Sequence, residues 1–214
     1  MKRKKRTMVV LDGGEGAGKT SVLKALEKYF GSKIVVTREP GGSPLAEEIR
    51  EIALNSKNAK QADVNTMFAL FWAARADHIK NTIVPALNNG KIVICDRFDS
   101  STYAYQIIAQ KAESLDKLFW TIRAHFIGEA KPDVYVYLDL DPKVGLARKN
   151  KQKDEKLNHF DKRGLEFHYS LRRGFKIFLT DPRLKTESVI IDAEKSQEEV
   201  FEECKNIILS LVEK

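Results

Sequence analysis

Glycines and a lysine at fixed spacing near the start of the chain could hold a phosphate group. Residues 13–20 read Gly-Gly-Glu-Gly-Ala-Gly-Lys-Thr, which fits the Walker A pattern G-x-x-x-x-G-K-[ST]. Backbone N–H groups in such a loop turn inward around phosphate oxygens, because glycine has no Cβ to obstruct them. The pattern predicts that Lys19 reaches the β- and γ-phosphates of a nucleotide and that Thr20 binds Mg²⁺. The predicted nucleotide-binding residues are Gly13, Gly14, Glu15, Gly16, Ala17, Gly18, Lys19, Thr20 and Ser21.

The residues on either side of this loop favour a nucleotide site over a plain turn. An apolar run at 8–11 precedes the loop and is typical of a strand. After the loop, apolar residues recur at three- and four-residue spacing, which indicates an amphipathic helix. The N-terminus of that helix would place a partial positive charge under the phosphates. A glycine-rich turn that binds nothing is the alternative that the pattern alone leaves open.

Charged residues also follow the other predicted strands. Arg38 and Arg97 stand where a planar fork of donors could hold a second phosphate. Asp96 and Asp139 both stand where a carboxylate could bind a metal ion, and we prefer Asp96 because Arg97 follows it directly. Ligands of doubly wound folds bind beyond the carboxyl ends of the strands, where these residues lie. The alternative is that the Asp-Arg pair serves only to cap the next helix.

The order of these segments predicts an α/β fold of the P-loop NTPase type. Five short apolar strands alternate with helical patterns, which indicates a doubly wound, five-stranded parallel sheet flanked by helices. The predicted strands are 8–11, 34–37, 92–95, 134–138 and 189–191, and the predicted helices are 18–30, 44–56, 64–89, 101–111, 115–128, 142–149, 163–179 and 196–213. We expect one domain over 8–214, with a basic, disordered tail at 1–7 and a polar lid loop at about 149–161.

Composition narrows the class of protein. The chain has 214 residues and a net charge of +7, but five basic residues lie at positions 2–6, and the remaining 32 basic residues nearly balance 30 acidic ones. A short basic tail is more often solvated than bound, so we do not expect nucleic-acid binding. No apolar run is long enough to span a membrane, and the run after the basic start is too short for a signal peptide. A cytoplasmic protein without a membrane partner is expected.

Taken together, these motifs resemble those of bacterial-type thymidylate kinases. The resemblance rests on residues 11–20, on Thr-Arg-Glu-Pro-Gly-Gly-Ser-Pro at the start of 37–50, and on Arg75-Ala76-Asp77-His78. It continues through Asp96-Arg97 and several shorter segments, from residue 8 to about 213. The shorter segments are 101–102, 104–106, 132–133, 137–139, 141–142 and 145–148.

The resemblance implies phosphoryl transfer from ATP to dTMP, with Mg²⁺ as cofactor and nucleotides as partners, in a homodimeric enzyme of the nucleoside monophosphate kinase type. It implies that Glu15 accepts from the 3′-hydroxyl of the acceptor, and that Arg97 and Arg38 hold its phosphate. Phe71 would stack on the base, and Arg75 would donate to a thymine carbonyl. The implied catalytic residues are Lys19, Asp96, Arg97 and Arg148, the metal-binding residues Thr20 and Asp96, and the residues completing the acceptor pocket Pro40, Ser101, Thr102, Tyr105 and Gln106.

For two residues of this pocket the pattern allows a structural reading as well. Phe71 lies on an apolar helical stripe, so core packing is nearly as plausible from the sequence. Arg75 could be a surface salt-bridge partner.

The lid differs from the family pattern. It carries lysines at 149, 151, 153 and 156 where relatives carry several arginines, and lysine lacks the guanidinium fork. We therefore expect Arg148, at the start of the loop, to contribute most to catalysis and each lysine only modestly; beyond the loop, Arg163, Arg172 and Arg173 are the other candidates. A charged, solvated linker is the alternative. Asp77, where glutamine is common, leaves strict thymine selectivity open.

Two further classes of function stay open on the sequence. Another pyrimidine nucleotide or deoxynucleoside kinase would share the phosphate loop and differ in its acceptor. A noncatalytic nucleotide-binding module would use the basic tail on nucleic acid. A GTP-dependent switch is disfavoured, because the nearest match to Asn-Lys-x-Asp, at 150–153, lacks the aspartate.

Overall fold

A computed structural model describes residues 6–151 and 163–213 of the chain. Its centre is a five-stranded parallel sheet with the strand order β2-β3-β1-β4-β5. The strands are β1 (Thr7–Gly13), β2 (Ile34–Arg38), β3 (Ile92–Asp96), β4 (Val134–Asp139) and β5 (Glu187–Asp192). The predicted α/β architecture is confirmed, and each strand lies where the apolar runs placed it, with one to three residues added at its ends.

Helices cover both faces of the sheet. They are α1 (Lys19–Phe30), α2 (Pro44–Asn55), α3 (Val64–His78), α4 (Val84–Asn88), α5 (Asp99–Thr102), α6 (Asp116–Phe126), α7 (Pro142–Lys151), α8 (Leu165–Thr180) and α9 (Gln197–Glu213). In the part of the chain that the structure describes, none of them is long and apolar enough to cross a membrane.

Two apolar layers pack against the sheet because successive residues of a strand point to opposite faces. Met8 and Val10 of β1 belong to the layer covered by α3, α6 and α8. Val9 and Leu11 belong to the layer covered by α1 and α9. Both faces of the central strands are therefore buried, which explains their continuous apolar sequence.

Two helical segments contain π-helical turns that the sequence pattern did not predict. The predicted helix 64–89 is α3, a π-helical turn at Ile79–Ile83 and α4 in succession. The predicted helix 101–111 is α5 followed by a π-helical segment, Tyr103–Ala109. Such turns are frequent at functional sites, and both lie near residues of the predicted acceptor pocket in the sequence.

A buried polar network fixes the start of α5. Asp99 is fully buried and accepts hydrogen bonds from Arg123 Nε at 2.5 Å and from the Tyr135 hydroxyl at 2.7 Å. Arg123 lies on α6 and Tyr135 on β4, so one carboxylate ties α5 to a helix and to the sheet. This anchors the segment that carries Ser101 and Thr102.

The predicted tail and lid are only partly described. Thr7, assigned to the tail, is instead the first residue of β1 and is buried. Arg6 donates a hydrogen bond to the Asn88 side chain. Residues 1–5 and 152–162, and with them most of the predicted lid, lie outside the described residues.

Candidate active site

A cavity of about 300 Å³ opens at the carboxyl edge of the sheet. Leu11 of β1, Asp96 of β3 and Arg38 of β2 are paired side by side in register, so the loops that follow the three strands meet at one place. The predicted site residues that line the cavity are Glu15, Lys19, Thr20, Pro40, Phe71, Arg75, Asp96, Arg97, Ser101, Thr102, Tyr105 and Gln106.

The phosphate-binding loop is closely packed against α7. Gly16 and Gly18 have φ angles of +69° and +87°, which favour glycine. A Cβ on Gly145 of α7 would lie 2.1 Å from the carbonyl oxygen of Glu15, so only glycine fits there. Lys19 Nζ donates to the carbonyl oxygens of Gly13 and Gly14 at 3.0 and 3.3 Å. Its ammonium group thus lies within the loop where a nucleotide phosphate would be held.

Glu15 is the carboxylate of this loop that faces the cavity. Its Oε2 accepts from Lys149 Nζ at 2.5 Å, and its Oε1 lies 3.4 Å from Arg97 Nη2. Burial opposes the charge of Glu15, but Arg97, Lys19 and Lys149 outweigh it and lower the pKa of the carboxyl to about 2. Glu15 is therefore an ionised acceptor at neutral pH.

Arg97 directs its guanidinium into the cavity from a strained backbone position. Its φ angle is +67°, and its N–H donates to the carbonyl of Leu11 at 3.0 Å, which ties the end of β3 to β1. The guanidinium lies 5.4 Å from the centre of the Tyr105 ring. Among the described residues, its buried Nη1 has no hydrogen-bond partner. Strain of this kind typically accompanies function, and here it presents a donor to the cavity.

The two candidate metal carboxylates differ in their surroundings. Asp139 is occupied by cations: Arg172 donates to both of its oxygens at 2.6 and 2.9 Å, and Lys176 Nζ lies 2.8 Å away. Asp96 lines the cavity, and its buried Oδ1 is without a hydrogen-bond partner in the described part of the chain. Asp96 is the carboxylate that could accept a metal ion or its water.

Arg75 lines the cavity and is buried rather than exposed on the surface. Nε donates to Glu39 Oε2 at 2.7 Å, and Nη2 donates to the Phe98 carbonyl at 3.0 Å and to the Thr102 hydroxyl at 3.1 Å. The guanidinium carbon also lies 4.5 Å above the Trp72 ring. Nη1 has no partner among residues 6–151 and 163–213. The surface salt-bridge alternative is wrong, because the side chain is almost fully enclosed.

Gln106 and Phe71 line the same cavity. Gln106 is fully buried in the π-helical segment, and within the described chain neither its amide nitrogen nor its oxygen has a hydrogen-bond partner. Phe71 is half-buried beside Leu70 and also reaches the cavity, so it packs with the core and presents a ring to the site. This part of the site thus brings together the Phe71 ring, the Gln106 amide and the Arg75 guanidinium.

Comparison with known proteins shows the family of the chain. A family model described as thymidylate kinase matches residues 11–204. The chain belongs to the thymidylate kinase family. It is 40% identical over 193 residues to the thymidylate kinase of Geobacillus sp. (strain WCH70), covering 89% of this chain and 90% of the relative. It is 37% identical to that of Clostridium novyi (strain NT), covering 95% and 98%.

A solved member of the thymidylate kinase family has the same fold. The crystal structure of thymidylate kinase from Ehrlichia chaffeensis superposes with a TM-score of 0.70 at 28% identity, covering 95% of this chain and 98% of that one.

Other residues that family resemblance predicted for the site lie outside the cavity. The Arg38 side chain is 53% exposed and pairs with Glu47 at 2.9 Å. Arg148 is also exposed, and its Nη1 donates to the Ala193 carbonyl at 2.9 Å. Asp77 accepts from Ser43 and Asn81 and does not line the cavity. The loop residues that do not line it are Gly13, Gly14, Gly16, Ala17, Gly18 and Ser21, and their roles toward ATP stay predictions.

Three charged residues of the cavity were not singled out from the sequence. Arg50, at the end of the 37–50 segment, donates to the Pro40 carbonyl at 2.7 Å. Glu39 bridges Arg75 and His78. Lys149 counted only as one of several lid lysines, yet it lines the cavity. Arg50 and Glu39 both lie in the segment that carries the family resemblance, which was the available signal.

Proposed function

We propose that this protein transfers the γ-phosphoryl group of ATP to dTMP, giving ADP and dTDP. Membership of the thymidylate kinase family supports this, together with a phosphate-binding loop that opens on the same cavity as a buried amide and guanidinium. The observation that carries the acceptor assignment is that Arg75 and Gln106, which both line the cavity, have buried polar atoms with no hydrogen-bond partner among the described residues.

On the donor side, Lys19 and the backbone of the loop would hold the phosphates of ATP. The residues present fit a magnesium ion, because Thr20 and Asp96 line one cavity and Oδ1 of Asp96 has no hydrogen-bond partner among the described residues. When bound, Mg²⁺ would neutralise charge on the phosphates. Thr20 would offer its hydroxyl to the metal, and Asp96 would hold the metal's water.

On the acceptor side, Arg97 would grip the phosphate of dTMP and Glu15 would accept from its 3′-hydroxyl. Arg97 has a free Nη1 within the described residues and a guanidinium fork suited to phosphate oxygens. Arg50 lines the same cavity and would add a second cation, whereas Arg38 is turned toward Glu47. The cations of Arg97 and Arg50 would hold the acceptor phosphate in line with the donor. Such alignment is most of what phosphoryl transfer requires of the protein.

The base would lie between Phe71, Arg75 and Gln106. Thymine has a carbonyl at position 4, which would accept from Arg75 Nη1. It also has an N3–H group, which would donate to the carboxamide oxygen of Gln106. Cytosine carries an amino group at position 4, which would meet the Arg75 donor with another donor. A buried mismatch of this kind is costly, so we infer selectivity for 4-oxo pyrimidines.

The basic group of the lid that contacts the transferred phosphoryl group would be Lys149. It lines the cavity and contacts Glu15 at 2.5 Å, whereas Arg148 is bonded to the Ala193 carbonyl. We therefore propose Lys149 in the role that the sequence assigned to Arg148.

A coupled kinase assay across acceptors tests the function. With ATP and Mg²⁺, turnover of dTMP should exceed that of dCMP and thymidine. Turnover of dUMP should be no faster than that of dTMP. Lys19→Ala should lower kcat about a hundredfold or more, because it removes charge stabilisation at the donor phosphates. Preference for dCMP would favour another pyrimidine kinase, and nucleotide binding without turnover would favour the noncatalytic module.

We also propose a homodimer that acts in the cytoplasm on soluble nucleotides. Phe126 of α6 stacks on Trp72 of α3, yet it is 40% exposed, and Leu118 of α6 is 46% exposed. Ala69 and Ala73 of α3 are exposed as well. Apolar residues on two adjacent helices supply the surface that a second copy could cover.

A further inference from the structure

A buried chain of hydrogen bonds leads from the end of β2 to Arg75. Thr37 Oγ1 lies 2.7 Å from His78 Nε2, and His78 Nδ1 lies 3.0 Å from Glu39 Oε1. The other oxygen of Glu39 accepts from Arg75 Nε at 2.7 Å. Glu39, Arg75 and His78 are all buried, with His78 completely inaccessible. One carboxylate therefore joins two side chains that are one helical turn apart on α3.

The chemistry of the partners fixes the direction of the two bonds to Glu39. The Glu39 carboxylate, paired with the Arg75 guanidinium, accepts from both partners, so Nδ1 of His78 donates to it. The Thr37 hydroxyl can either donate to Nε2 or accept from it, and the His78 tautomer decides which.

Three hydrogen bonds hold the Arg75 guanidinium in place, and Nη1 is its donor nitrogen without a partner among the described residues. Glu39 holds Nε, and the Phe98 carbonyl and Thr102 hydroxyl hold Nη2. Because the guanidinium is planar and rigid, these contacts determine where Nη1 points. Without the Glu39 contact, rotation about the long side chain would no longer be restricted at Nε.

The loop at 39–43, which follows β2, covers the Thr37 end of this chain of hydrogen bonds. A Cβ on Gly42 would lie 2.4 Å from His78 Nε2 and 2.5 Å from Thr37 Oγ1, so the Gly42 backbone lies directly against this hydrogen bond. The Gly42 carbonyl accepts from Thr82 Oγ1 at 2.6 Å, which ties the loop to the π-helical turn after α3. Neither Thr37 nor His78 lines the cavity.

We propose that Glu39 and His78 are positioning residues that aim Arg75 Nη1 at the base and so set the selectivity of the site for 4-oxo over 4-amino pyrimidines. This rests on the proposed contact between Arg75 and the base. Glu39 acts on Arg75 directly, and His78 acts through Glu39 by holding its second oxygen.

Steady-state kinetics of substituted enzymes test the proposal, with KM measured separately for dTMP and ATP. Glu39→Gln should raise KM for dTMP about tenfold, because the charged acceptor for Arg75 Nε is lost. His78→Leu should raise it about threefold to tenfold. In both variants KM for ATP should stay within about twofold, kcat should fall less than KM rises, and the preference for dTMP over dCMP should shrink.

A pair of conservative variants separates positioning from packing. His78→Asn keeps an N–H donor near the position of Nδ1 and should restore KM for dTMP to within about twofold of wild type. His78→Gln places its amide near Nε2, reaches Thr37 instead, and should resemble His78→Leu. His125→Asn on the surface of α6 is the matched control and should change nothing.

Several outcomes would overturn the proposal. Equal loss in His78→Asn and His78→Gln, or equal changes of KM for both substrates, would make His78 a packing residue only. If Glu39→Gln or His78→Leu fails to fold, the Asn and Gln pair still decides. Arg75→Ala separates this proposal from the base contact: if it raises KM for dTMP and the Glu39 and His78 variants do not, positioning is wrong and the contact stands. If Arg75→Ala has no effect, the contact itself is wrong.

Discussion

Adjacent residues at the end of α7 point in different directions, and this decides which of them can act on the substrate. Successive positions on an α-helix are rotated by about 100°. Lys149 is thereby turned to Glu15 and the cavity, and Arg148 to the Ala193 carbonyl at the end of β5. The sequence placed an arginine and a lysine next to each other, but only the helix orientation distinguishes their roles.

The first prediction is that Lys149→Ala lowers kcat about tenfold or more, because a cation that could offset charge on the transferred phosphoryl group is lost. Arg148→Ala should change kcat less than about threefold. Lys149→Arg should keep most of the activity, because charge is retained. Lys143→Ala, on the exposed surface of the same helix, is the control. A larger loss in Arg148→Ala than in Lys149→Ala would restore the interpretation based on the sequence alone.

Asp12, at the base of the phosphate-binding loop, should make stability depend on pH. It is fully buried, and Ser100 and Ser101 donate to its two oxygens at 2.5 and 3.3 Å. Burial raises the pKa of its carboxyl from 3.8 to about 7, although the Ser100 hydrogen bond and Arg97 oppose the rise. Between these two values the folded protein holds a proton that the unfolded chain has lost, so stability falls as pH rises.

The second prediction is that the free energy of unfolding decreases between about pH 4 and pH 7 with a contribution from Asp12 of up to ~1.4 kcal/mol per pH unit. Asp12→Asn should remove this contribution and leave a flatter profile. Denaturant unfolding at several pH values measures both slopes. Parallel profiles for the two proteins would show that Asp12 does not titrate in this range.

Residue types and spacing predicted the part of the site that short motifs specify, and missed the part that depends on distant contacts. Asp96 ends β3 and Arg97 follows it, while Lys19 comes at the end of the loop after β1, so the pairing of β1 with β3 brings them together. Arg38 was expected in the site and Arg50 was not, because the sequence does not show that Glu47 draws Arg38 outward. The role of Glu39 depends on two residues of α3, more than 35 positions away, and no local pattern indicates it.

At the scale of elements, α7 and the phosphate-binding loop act as one packed unit. The Gly145 backbone approaches the Glu15 carbonyl so closely that a Cβ there would lie 2.1 Å from it. Gly16 is equally close to α7, since a Cβ placed on it would lie 2.2 Å from the Gly145 carbonyl oxygen. Movement of α7, which carries Lys149, is therefore coupled sterically to the backbone that would hold the phosphates.

The third prediction is that Gly145→Ala lowers kcat/KM for ATP about tenfold or more, because the methyl group displaces the loop from the phosphates. Gly164→Ala is the matched control: a Cβ there meets nothing within 4 Å, and the residue needs no positive φ. Isothermal titration with ATP would separate weaker binding from slower transfer. Equal kinetics in the two variants would mean that the contact with α7 can relax without cost to the loop.

The π-helical turns explain why two predicted helices differ from the observed ones. Residues 64–89 have a continuous helical pattern, but the turn at Ile79–Ile83 takes an extra residue and rotates the faces of α4 relative to α3. Spacing rules assume one constant period, so an inserted residue is not visible to them. The result is local: Arg75 and His78 are on the regular turn before the insertion, where both can reach Glu39.

For the molecule as a whole, strand order determines which loops meet. β1 lies between β3 and β4, so the phosphate-binding loop stands beside the Asp96-Arg97 turn, and β2 adds the loop at 39–43 at the outer side of β3. The sequence predicted a parallel sheet and the edge where ligands bind. The neighbour relations come from the crossover connections, which the strand sequences themselves do not specify.

The last prediction concerns assembly. A homodimer through α3 and α6 would bury Leu118 and Phe126, which a monomer leaves 46% and 40% exposed. Light scattering after size exclusion should give twice the chain mass of 24.3 kDa. Leu118→Glu should shift the protein toward the monomer, because a charge placed in an apolar interface is desolvated without a partner.

Val212→Glu supplies the control for this experiment. Val212 is equally exposed, at 46%, but lies on α9, which covers the opposite face of the sheet. Its substitution should leave the dimer intact, so a loss of dimer in both variants would indicate general destabilisation rather than an interface on α3 and α6. A monomeric wild-type protein at micromolar concentration, or a Leu118→Glu variant that remains dimeric, would place any interface elsewhere on the molecule.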